Sequence, residues 1–173
     1  MAALKIREAL PCDASAICAI SNALIRGSLV TFTTLERSIE VTQQTIRSAN
    51  GTFLVAEEAG TVVGFASYAP FRAGPGYVHT KEHSIQLAAQ ARGRGIGRAL
   101  MQQLEEVARA NDVHVLVAGI SSANPAGVAF HARLGFEAVG RLPETGRKNG
   151  QWLDLVLMQK ILRSGNDFRG ADR

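Results

Sequence analysis

The chain has 173 residues, of which 46% are hydrophobic, so it is long enough for one domain with a buried core. Its formal net charge of +4, from 19 basic and 15 acidic residues, suits an anionic ligand but is too small for a surface that coats nucleic acid. No window approaches the roughly 18 apolar residues of a membrane span, and the charged amino terminus is unlike a signal peptide. We therefore expect a soluble cytoplasmic protein that binds neither nucleic acid nor membrane, with Cys12 and Cys18 as reduced thiols.

The first third of the chain predicts a strand followed by two helices. LKIREA, residues 4–9, alternates in polarity as a strand does. Pro11 and Asp13 open an apolar-periodic helix. Residues 35–48 predict a second helix, which the following Asn-Gly pair ends. The core stripe of this second helix consists of Leu35, Ile39, Thr42 and Ile46.

The middle of the chain predicts three strands. FLVAEE (53–58) and TVVGFASYA (61–69) are β-rich runs joined by Ala-Gly, as in a hairpin. After Gly-Pro-Gly at 74–76, the segment VHTKEHSIQLAA predicts a third strand over 78–89. One face of this strand carries Glu82, Ser84 and Gln86, and the other carries His83, Ile85 and Leu87.

The remaining elements follow a glycine-rich loop, ARGRGIG, at 91–97. The loop leads into a helix with a regular apolar stripe, and VHVLVAGI (113–120) predicts a strand covered on both faces. Asn124 and Pro125 begin a short helix that reaches Leu134. FEAVG (136–140) and WLDLVLMQKIL (152–162) predict two final strands around a basic loop at 140–150.

The predicted order of elements is βααβββαβαββ. Such an order favours an α+β architecture, with helices packed against one mixed sheet. We expect a single domain over residues 1–162. Residues 163–173 lack periodicity and predict a loose tail.

The glycine-rich loop has the composition of an anion site. It lacks the Lys-Ser or Lys-Thr of a nucleotide-hydrolase phosphate loop and the third glycine of the dinucleotide fingerprint. Its glycines allow several main-chain N–H groups to face one point, at a helix N-terminus flanked by Arg92, Arg94 and Arg98. The composition of the loop therefore suits a pyrophosphate. A plain strand-to-helix turn with solvated arginines would have the same composition.

The run from Arg92 to Gly97, which follows a strand and opens a helix, resembles the Q/R-x-x-G-x-G/A motif of the GNAT superfamily of acetyl-CoA-dependent N-acetyltransferases. Further segments resemble, in order, the subgroup of phosphinothricin and methionine sulfone or sulfoximine N-acetyltransferases. These segments are HTKEHS, HVLVAGI, FHARLGFEAVGRL, GRK and WLDLVLMQ. The resemblance implies the GNAT acyl-CoA N-acyltransferase fold, with a central mixed, mostly antiparallel sheet. It also implies acetyl-CoA as co-substrate, no metal, and a homodimer.

The resemblance assigns the coenzyme to three segments. The pantetheine arm is expected along the strand at Ile85, Gln86 and Leu87, whose main chain would pair with it as a strand edge does. The pyrophosphate is expected on the loop, at Arg92, Gly93, Arg94, Gly95, Ile96, Gly97 and Arg98. Asn124 matches a residue that hydrogen-bonds the coenzyme arm, although its sequence context equally predicts a helix N-cap.

Acetyl transfer requires a neutral amine, a stabilised oxyanion and a proton for the leaving thiolate. Glu82 matches the glutamate of the subgroup's EHS motif and is the expected general base; the alternative is an exposed strand glutamate. A main-chain N–H near Leu87 is expected to hold the oxyanion. His131 stands where the wider superfamily has a tyrosine that returns a proton to the coenzyme. It also falls on the apolar stripe of its helix, so a core histidine is an equal alternative.

The same resemblance gives the expected substrate contacts as Arg72, Ala73, Gly74, Glu82, His83 and Ser84. The planar guanidinium of Arg72 suits a carboxylate or phosphinate, whereas the other interpretation is a surface arginine on a loop. The subgroup pattern SVYVHPxHRG is replaced here by SIQLAAQARG, which lacks a tyrosine and a His-Pro pair. This departure leaves the substrate open. A small amino-acid-like molecule acetylated on its α-amino group is expected.

Several other functions remain open at this point. Protein or peptide amino termini are alternative substrates, and a non-catalytic acyl-CoA sensor would keep the loop without turnover. Residues 79–83 also fit H-x-x-E-H, a zinc-hydrolase pattern. That pattern needs a helix to bring both histidines to one metal, whereas the segment predicts a strand.

Overall fold

The computed structural model describes residues 3–162. Within that range one sheet of seven strands is flanked by four helices. The strands are β1 (Leu4–Glu8), β2 (Phe53–Glu58), β3 (Thr61–Pro70), β4 (Thr80–Leu87), β5 (Val115–Ser121), β6 (Glu137–Lys148) and β7 (Gln151–Ile161). The helices are α1 (Ala14–Gly27), α2 (Ile39–Ser48), α3 (Ile96–Ala110) and α4 (Pro125–Arg133). The predicted order of elements and the α+β class are confirmed.

The sheet is mixed but mostly antiparallel, as predicted. Its strand order is β1-β2-β3-β4-β5-β7-β6. Every neighbouring pair is antiparallel except β4 and β5, which run parallel. None of the helices within residues 3–162 is long and apolar enough to cross a membrane. The predicted tail at 163–173 lies outside the described residues.

The helices divide between the two faces of the sheet because the central strands alternate buried side chains. On β2, Phe53 and Val55 belong to the cluster under α1 and α2, whereas Leu54 and Ala56 belong to the cluster under α3. Residues of α4 pack on that second cluster as well. The sheet therefore separates an α1/α2 side from an α3/α4 side.

The parallel pair β4 and β5 separates after a short contact. The strands pair only from Thr80 to Glu82 and from Val115 to Val117, yet β4 continues to Leu87 and β5 to Ser121. Beyond Glu82, the edge of β4 that faces β5 is thus free of strand pairing. A V-shaped opening between two central strands connects the two sides of the sheet.

Two boundary predictions were wrong. Helix α2 begins at Ile39 rather than Leu35, because Ser38 is extended and its side chain accepts the Val41 N–H as an N-cap. The segment 140–150 is not a loop, since β6 continues to Lys148 and turns tightly into β7. The Asn-Gly pair at 149 and 150 makes that turn, with φ values of 50° and 79°, which is a hairpin signal that the basic composition concealed.

Candidate active site

The glycine-rich loop presents main-chain N–H groups at the start of α3. Gly93 and Gly95 adopt left-handed φ angles of 72° and 81°, and Gly95 is the N-cap of the helix. A Cβ at either glycine would meet no atom within 4 Å, so the requirement for glycine there is conformational. Within residues 3–162, the N–H groups of residues 93–98 find no hydrogen-bond acceptor. Six main-chain N–H donors and the positive end of the helix dipole thus form a candidate anion-binding site.

The three arginines of the loop have different surroundings. Arg92 and Arg98 line a cleft and form no ion pair with any described residue. Arg94 instead donates two hydrogen bonds, of 2.9 and 2.8 Å, to the carboxylate of Glu58. The Arg94 guanidinium is therefore paired with Glu58 and does not line the cleft. This differs from the expectation that all three arginines present unpaired charges beside the N–H groups.

Two further loop residues are fixed by packing. Ile96 is buried in the core, so only its main chain faces the loop. At Gly97 a Cβ would lie 3.2 Å from the Phe130 ring and 3.3 Å from Leu87. Gly97 therefore allows α3 to pack closely against α4 and β4.

A cleft of about 740 Å³ occupies the V between β4 and β5. It is bounded by β4 and β5 themselves, by the glycine-rich loop, by α4 and by the connection between α1 and α2. Its lining residues include Leu24, Val30, Thr31, Phe32, His83, Ser84, Ile85, Gln86, Leu87, Arg92, Gly93, Gly95, Gly97, Arg98, Gly119, Asn124, Phe130 and His131. The structure thus brings the expected coenzyme residues to one cavity, except for Arg94 and the buried Ile96.

Asn124 serves as the N-cap of α4. Its Oδ1 accepts the Gly127 N–H at 2.9 Å, and a Cβ at Gly127 would overlap the Asn124 side chain. The Asn124 amide nitrogen donates to no described residue and the side chain lines the cleft. The cap interpretation and the ligand interpretation are therefore compatible, because they use different atoms of one amide.

Glu82 is the last residue of β4 that pairs with β5, so it lies at the apex of the V. Its side chain is exposed and leans over Gly119, where a Cβ would lie 2.8 Å from Oε1. Gly119 lines the cleft. Within residues 3–162, the Glu82 carboxylate has no hydrogen bond or ion pair. It is free to accept a proton on the α1/α2 side.

His83 points to the opposite side of the sheet and contacts His131. Their Nε2 atoms are 3.0 Å apart, and His131 Nδ1 donates to the Gly127 carbonyl at 2.7 Å. Because His131 Nδ1 carries a proton for that carbonyl, its Nε2 is the acceptor and His83 Nε2–H donates. His83 Nδ1 is then left buried without a hydrogen-bond partner.

Both imidazoles are held neutral. The pKa of His83 is lowered to about 3, mainly by burial and next by the neighbouring His131, against an opposing effect of the Val117 carbonyl. Burial also lowers the pKa of His131, and its hydrogen bond to the Gly127 carbonyl opposes that shift. At neutral pH His131 therefore has no imidazolium proton to give. The geometry favours the core-histidine alternative over the general acid.

The predicted substrate contacts divide into two groups. His83 and Ser84 line the cleft, and Glu82 precedes them on β4 with its carboxylate over the lining residue Gly119. Arg72, Ala73 and Gly74 are exposed on the connection between β3 and β4. The Arg72 guanidinium stacks over the Phe71 ring at 5.0 Å and is not part of the cleft wall. In this structure Arg72 fits the alternative of a surface arginine.

The wall contributed by the α1–α2 connection was not predicted from the sequence. Val30, Thr31 and Phe32 line the cleft from the α1/α2 side. The sequence contains a signal for this wall. Residues 29–32, Leu-Val-Thr-Phe, are a largely apolar run between two helices, and such a run indicates packing against another part of the protein.

The H-x-x-E-H pattern does not form a metal-binding group. Its segment is a strand from Thr80 onward, as predicted. The Nδ1 of His79 contacts the Asp112 carbonyl oxygen at 2.7 Å, whereas His83 faces His131 in the interior. Within the part of the chain that the structure describes, no three His, Cys, Asp or Glu side chains converge on one point.

Comparison with known proteins agrees with this geometry. Residues 21–136 match the Acetyltransferase (GNAT) family. The L-methionine sulfoximine/L-methionine sulfone acetyltransferase of Pseudomonas aeruginosa is 46% identical over 106 residues, which are 61% of this chain and 62% of that protein. The similarity therefore spans less than two thirds of that relative's length.

Solved structures resemble the whole fold. A phosphinothricin acetyltransferase from Sinorhizobium meliloti, in complex with acetyl-CoA, is 32% identical with a TM-score of 0.87, over 95% of this chain and 91% of that one. A ribosomal-protein-alanine N-acetyltransferase from Brucella melitensis is 44% identical with a TM-score of 0.86, over 91% and 99% of the two chains. Sequence, topology and cleft agree, and the chain belongs to the GNAT family of acetyltransferases.

Proposed function

We propose that this protein transfers an acetyl group from acetyl-CoA to the α-amino group of a small amino-acid-like substrate. The observation that carries this proposal is the cleft between β4 and β5. The glycine-rich loop, whose six N–H groups are unpaired, lies at one end of the cleft, and the free carboxylate of Glu82 leans over the lining residue Gly119. The relatives named for methionine sulfoximine, methionine sulfone and phosphinothricin support the choice of substrate class.

The coenzyme fits the α3/α4 side of the cleft. Its diphosphate would accept hydrogen bonds from the N–H groups of residues 93–98, with Arg92 and Arg98 providing full positive charges. Its pantetheine arm would run along the unpaired edge of β4 at residues 85–87 and reach the Asn124 amide. The thioester carbonyl then lies at the V, where the two sides of the sheet meet.

Glu82 supplies the base. An ammonium group with a pKa of roughly 8 or above cannot attack until it loses a proton, and Glu82 accepts that proton directly or through water. The neutral amine then attacks the thioester carbon, so that a C–N bond forms and the C–S bond breaks. The Leu87 main-chain N–H would stabilise the oxyanion.

Attack is direct rather than through an acyl-enzyme. Cys12 lies before α1, and Cys18 is buried with its Sγ 3.3 Å from the Thr42 hydroxyl. Neither cysteine lines the cleft. Because His131 is neutral and both its ring nitrogens are engaged, we assign the protonation of the thiolate to the second proton, which the attacking nitrogen loses as the amide forms; the first proton remains with Glu82.

Two candidate activities differ only in their amine substrate. The similarity to a ribosomal-protein-alanine N-acetyltransferase supports a peptide amino terminus as the second candidate. A non-catalytic acyl-CoA sensor is a third candidate, because SIQLAAQARG departs from the subgroup's pattern beside the pocket. The free carboxylate of Glu82 favours turnover over sensing.

The protein is further proposed to act in the cytoplasm as a homodimer, with residues 1–162 as one domain. Its two cysteines form no disulfide with each other, as in reducing compartments. Strand β6 is a sheet edge with exposed apolar side chains nearby, at Val139, Leu142 and Trp152. An apolar edge of this kind favours association with a second copy.

A role in herbicide or antibiotic resistance would follow from acetylation of phosphinothricin-like amines.

One assay separates the candidates. Thiol release from acetyl-CoA is followed across free amino acids, methionine sulfone and sulfoximine, phosphinothricin and short peptides. Turnover of the small amines supports the proposal, and turnover of peptides alone would replace it with the second candidate. Absence of turnover, together with normal acetyl-CoA binding, would indicate the sensor.

A further inference from the structure

A buried lysine lies beside the cleft without a carboxylate partner. Lys148, at the end of β6, has only 3% of its surface exposed. Its Nζ donates to the main-chain carbonyl of Thr31 at 3.0 Å and contacts the Thr31 hydroxyl at 3.3 Å. None of the ion pairs formed within residues 3–162 includes Lys148. The buried carboxylate of Glu105 on α3, by contrast, has both Arg109 and Lys160 as partners.

An ammonium group in such a position is costly. Removing a charge from water is unfavourable unless an opposite charge or a full set of hydrogen bonds compensates it. Lys148 has three N–H donors, but the described residues offer only the two oxygens of Thr31. The site therefore has a positive charge that one additional anionic group would compensate.

The fold places this lysine through several specific contacts. Strand β6 shifts register between Leu142 and Gly146, and Asp154 holds the displaced segment by accepting the Glu144 N–H at 2.9 Å. At Gly146 a Cβ would overlap the Phe32 ring, so the glycine lets the α1–α2 connection lie flat on β6. The position of Lys148 against Thr31 is thus built into the hairpin.

Thr31 connects the lysine to the cleft. It is half-buried and lines the cleft wall together with Phe32. Its hydroxyl oxygen accepts from Lys148, and within the described residues nothing accepts the hydroxyl hydrogen. A hydroxyl that accepts from a cation is polarised and becomes a stronger donor. An anion in the cleft is the natural acceptor for it.

The α1/α2 side of the cleft would then carry two opposite charges. Glu82 is negative at the apex, and Lys148 is positive behind Thr31. A free α-amino acid is a zwitterion that has an ammonium for Glu82 and a carboxylate for Thr31, joined through a single carbon. A peptide amino terminus has an ammonium but a neutral amide in place of that carboxylate.

We propose that Thr31 binds the α-carboxylate of the amine substrate and that Lys148 is a positioning residue that orients and polarises the Thr31 hydroxyl. This inference rests on the proposed function and deepens it, since it selects free amino acids over peptide amino termini. Arg72, the carboxylate-binding candidate of the sequence, is exposed and stacked on Phe71 instead.

The test compares methionine sulfone with its carboxamide, which keeps the amine and the side chain but lacks the negative charge. Calorimetry in the presence of coenzyme A measures binding of each to the wild type and to Thr31→Val, Thr31→Ser and Lys148→Met. Steady-state kinetics adds KM and kcat. Thr34→Val is the matched control, because Thr34 is exposed and does not line the cleft.

Thr31→Val should weaken sulfone binding about ten- to a hundred-fold, the range for a hydrogen bond to a charged group, and raise its KM. In Thr31→Val, carboxamide binding and kcat should change little. Thr31→Ser should bind the sulfone like the wild type. In the double variant, Lys148→Met should add no further loss of sulfone binding to that of Thr31→Val. Equal weakening of sulfone and carboxamide, or unchanged sulfone binding, would overturn the inference, as would a wild type that binds neither. Acetyl-CoA affinity and carboxamide turnover on the same samples show whether the proposed function itself fails.

Discussion

The buried pair His83 and His131 predicts a specific loss of stability as the pH falls. His83 has an ordinary pKa of 6.5 when unfolded and a pKa of about 3 in the folded protein. Below pH 6.5 the unfolded chain therefore binds a proton that the folded protein excludes. The stabilisation is complete above pH 6.5 and is lost progressively as the pH falls toward 3.

The size of this loss follows from proton linkage. One proton taken up on unfolding lowers the free energy of unfolding by about 1.4 kcal/mol per pH unit, so the change from pH 6.5 to 5.0 amounts to roughly 2 kcal/mol. His131 contributes in the same direction, because its pKa is also lowered by burial. The salt-bridged Asp13 has a pKa lowered from 3.8 by Arg7, so its own contribution is lost only at more acidic pH.

Urea unfolding followed by circular dichroism between pH 7.5 and 5.0 measures this slope. His83→Leu removes one of the two titrating groups. The slope of the free energy of unfolding against pH should then decrease by the equivalent of about one proton, even though the variant is less stable at every pH. His79→Leu is the control, because the His79 side chain is 54% exposed and lies outside the pair. A slope that is the same in the wild type and in His83→Leu would refute the assignment of a buried neutral pair.

The remaining predictions concern the cleft. Glu82→Gln should reduce acetyl transfer about 10²- to 10⁴-fold at neutral pH, as expected for loss of a general base, and leave acetyl-CoA affinity unchanged; undiminished transfer would exclude Glu82 from that role. Arg98→Ala should weaken acetyl-CoA binding measurably, whereas Arg94→Ala, which breaks a partly exposed pair with Glu58, should not. Equal losses in both variants would show that Arg94 leaves Glu58 to contact the ligand.

The sequence was sufficient for the order of elements, because apolar periodicity and turn residues are local signals. The predicted start of α2 was wrong because two local patterns competed there. The apolar stripe through Leu35 indicated an earlier start, but Ser38 caps the helix. The Asn-Gly turn after Lys148 was hidden inside a segment that composition alone made a loop.

The site was predicted in part for the same reason. The glycine-rich loop and the EHS segment are contiguous in sequence, so their chemistry could be inferred directly. The contacts between His83 and His131 and between Lys148 and Thr31 join positions 48 and 117 residues apart, which no local pattern encodes. The diversion of Arg94 to Glu58 is equally non-local.

The proposed function depends above all on the unpaired N–H groups of residues 93–98, which we propose hold the diphosphate of the acetyl donor. Calorimetric titration with acetyl-CoA and with S-acetylpantetheine tests it, because the second molecule keeps the thioester and the pantetheine arm but has no diphosphate. We expect clear binding of acetyl-CoA and binding of S-acetylpantetheine that is weaker by orders of magnitude. Equal affinities, or no heat with acetyl-CoA, would contradict it.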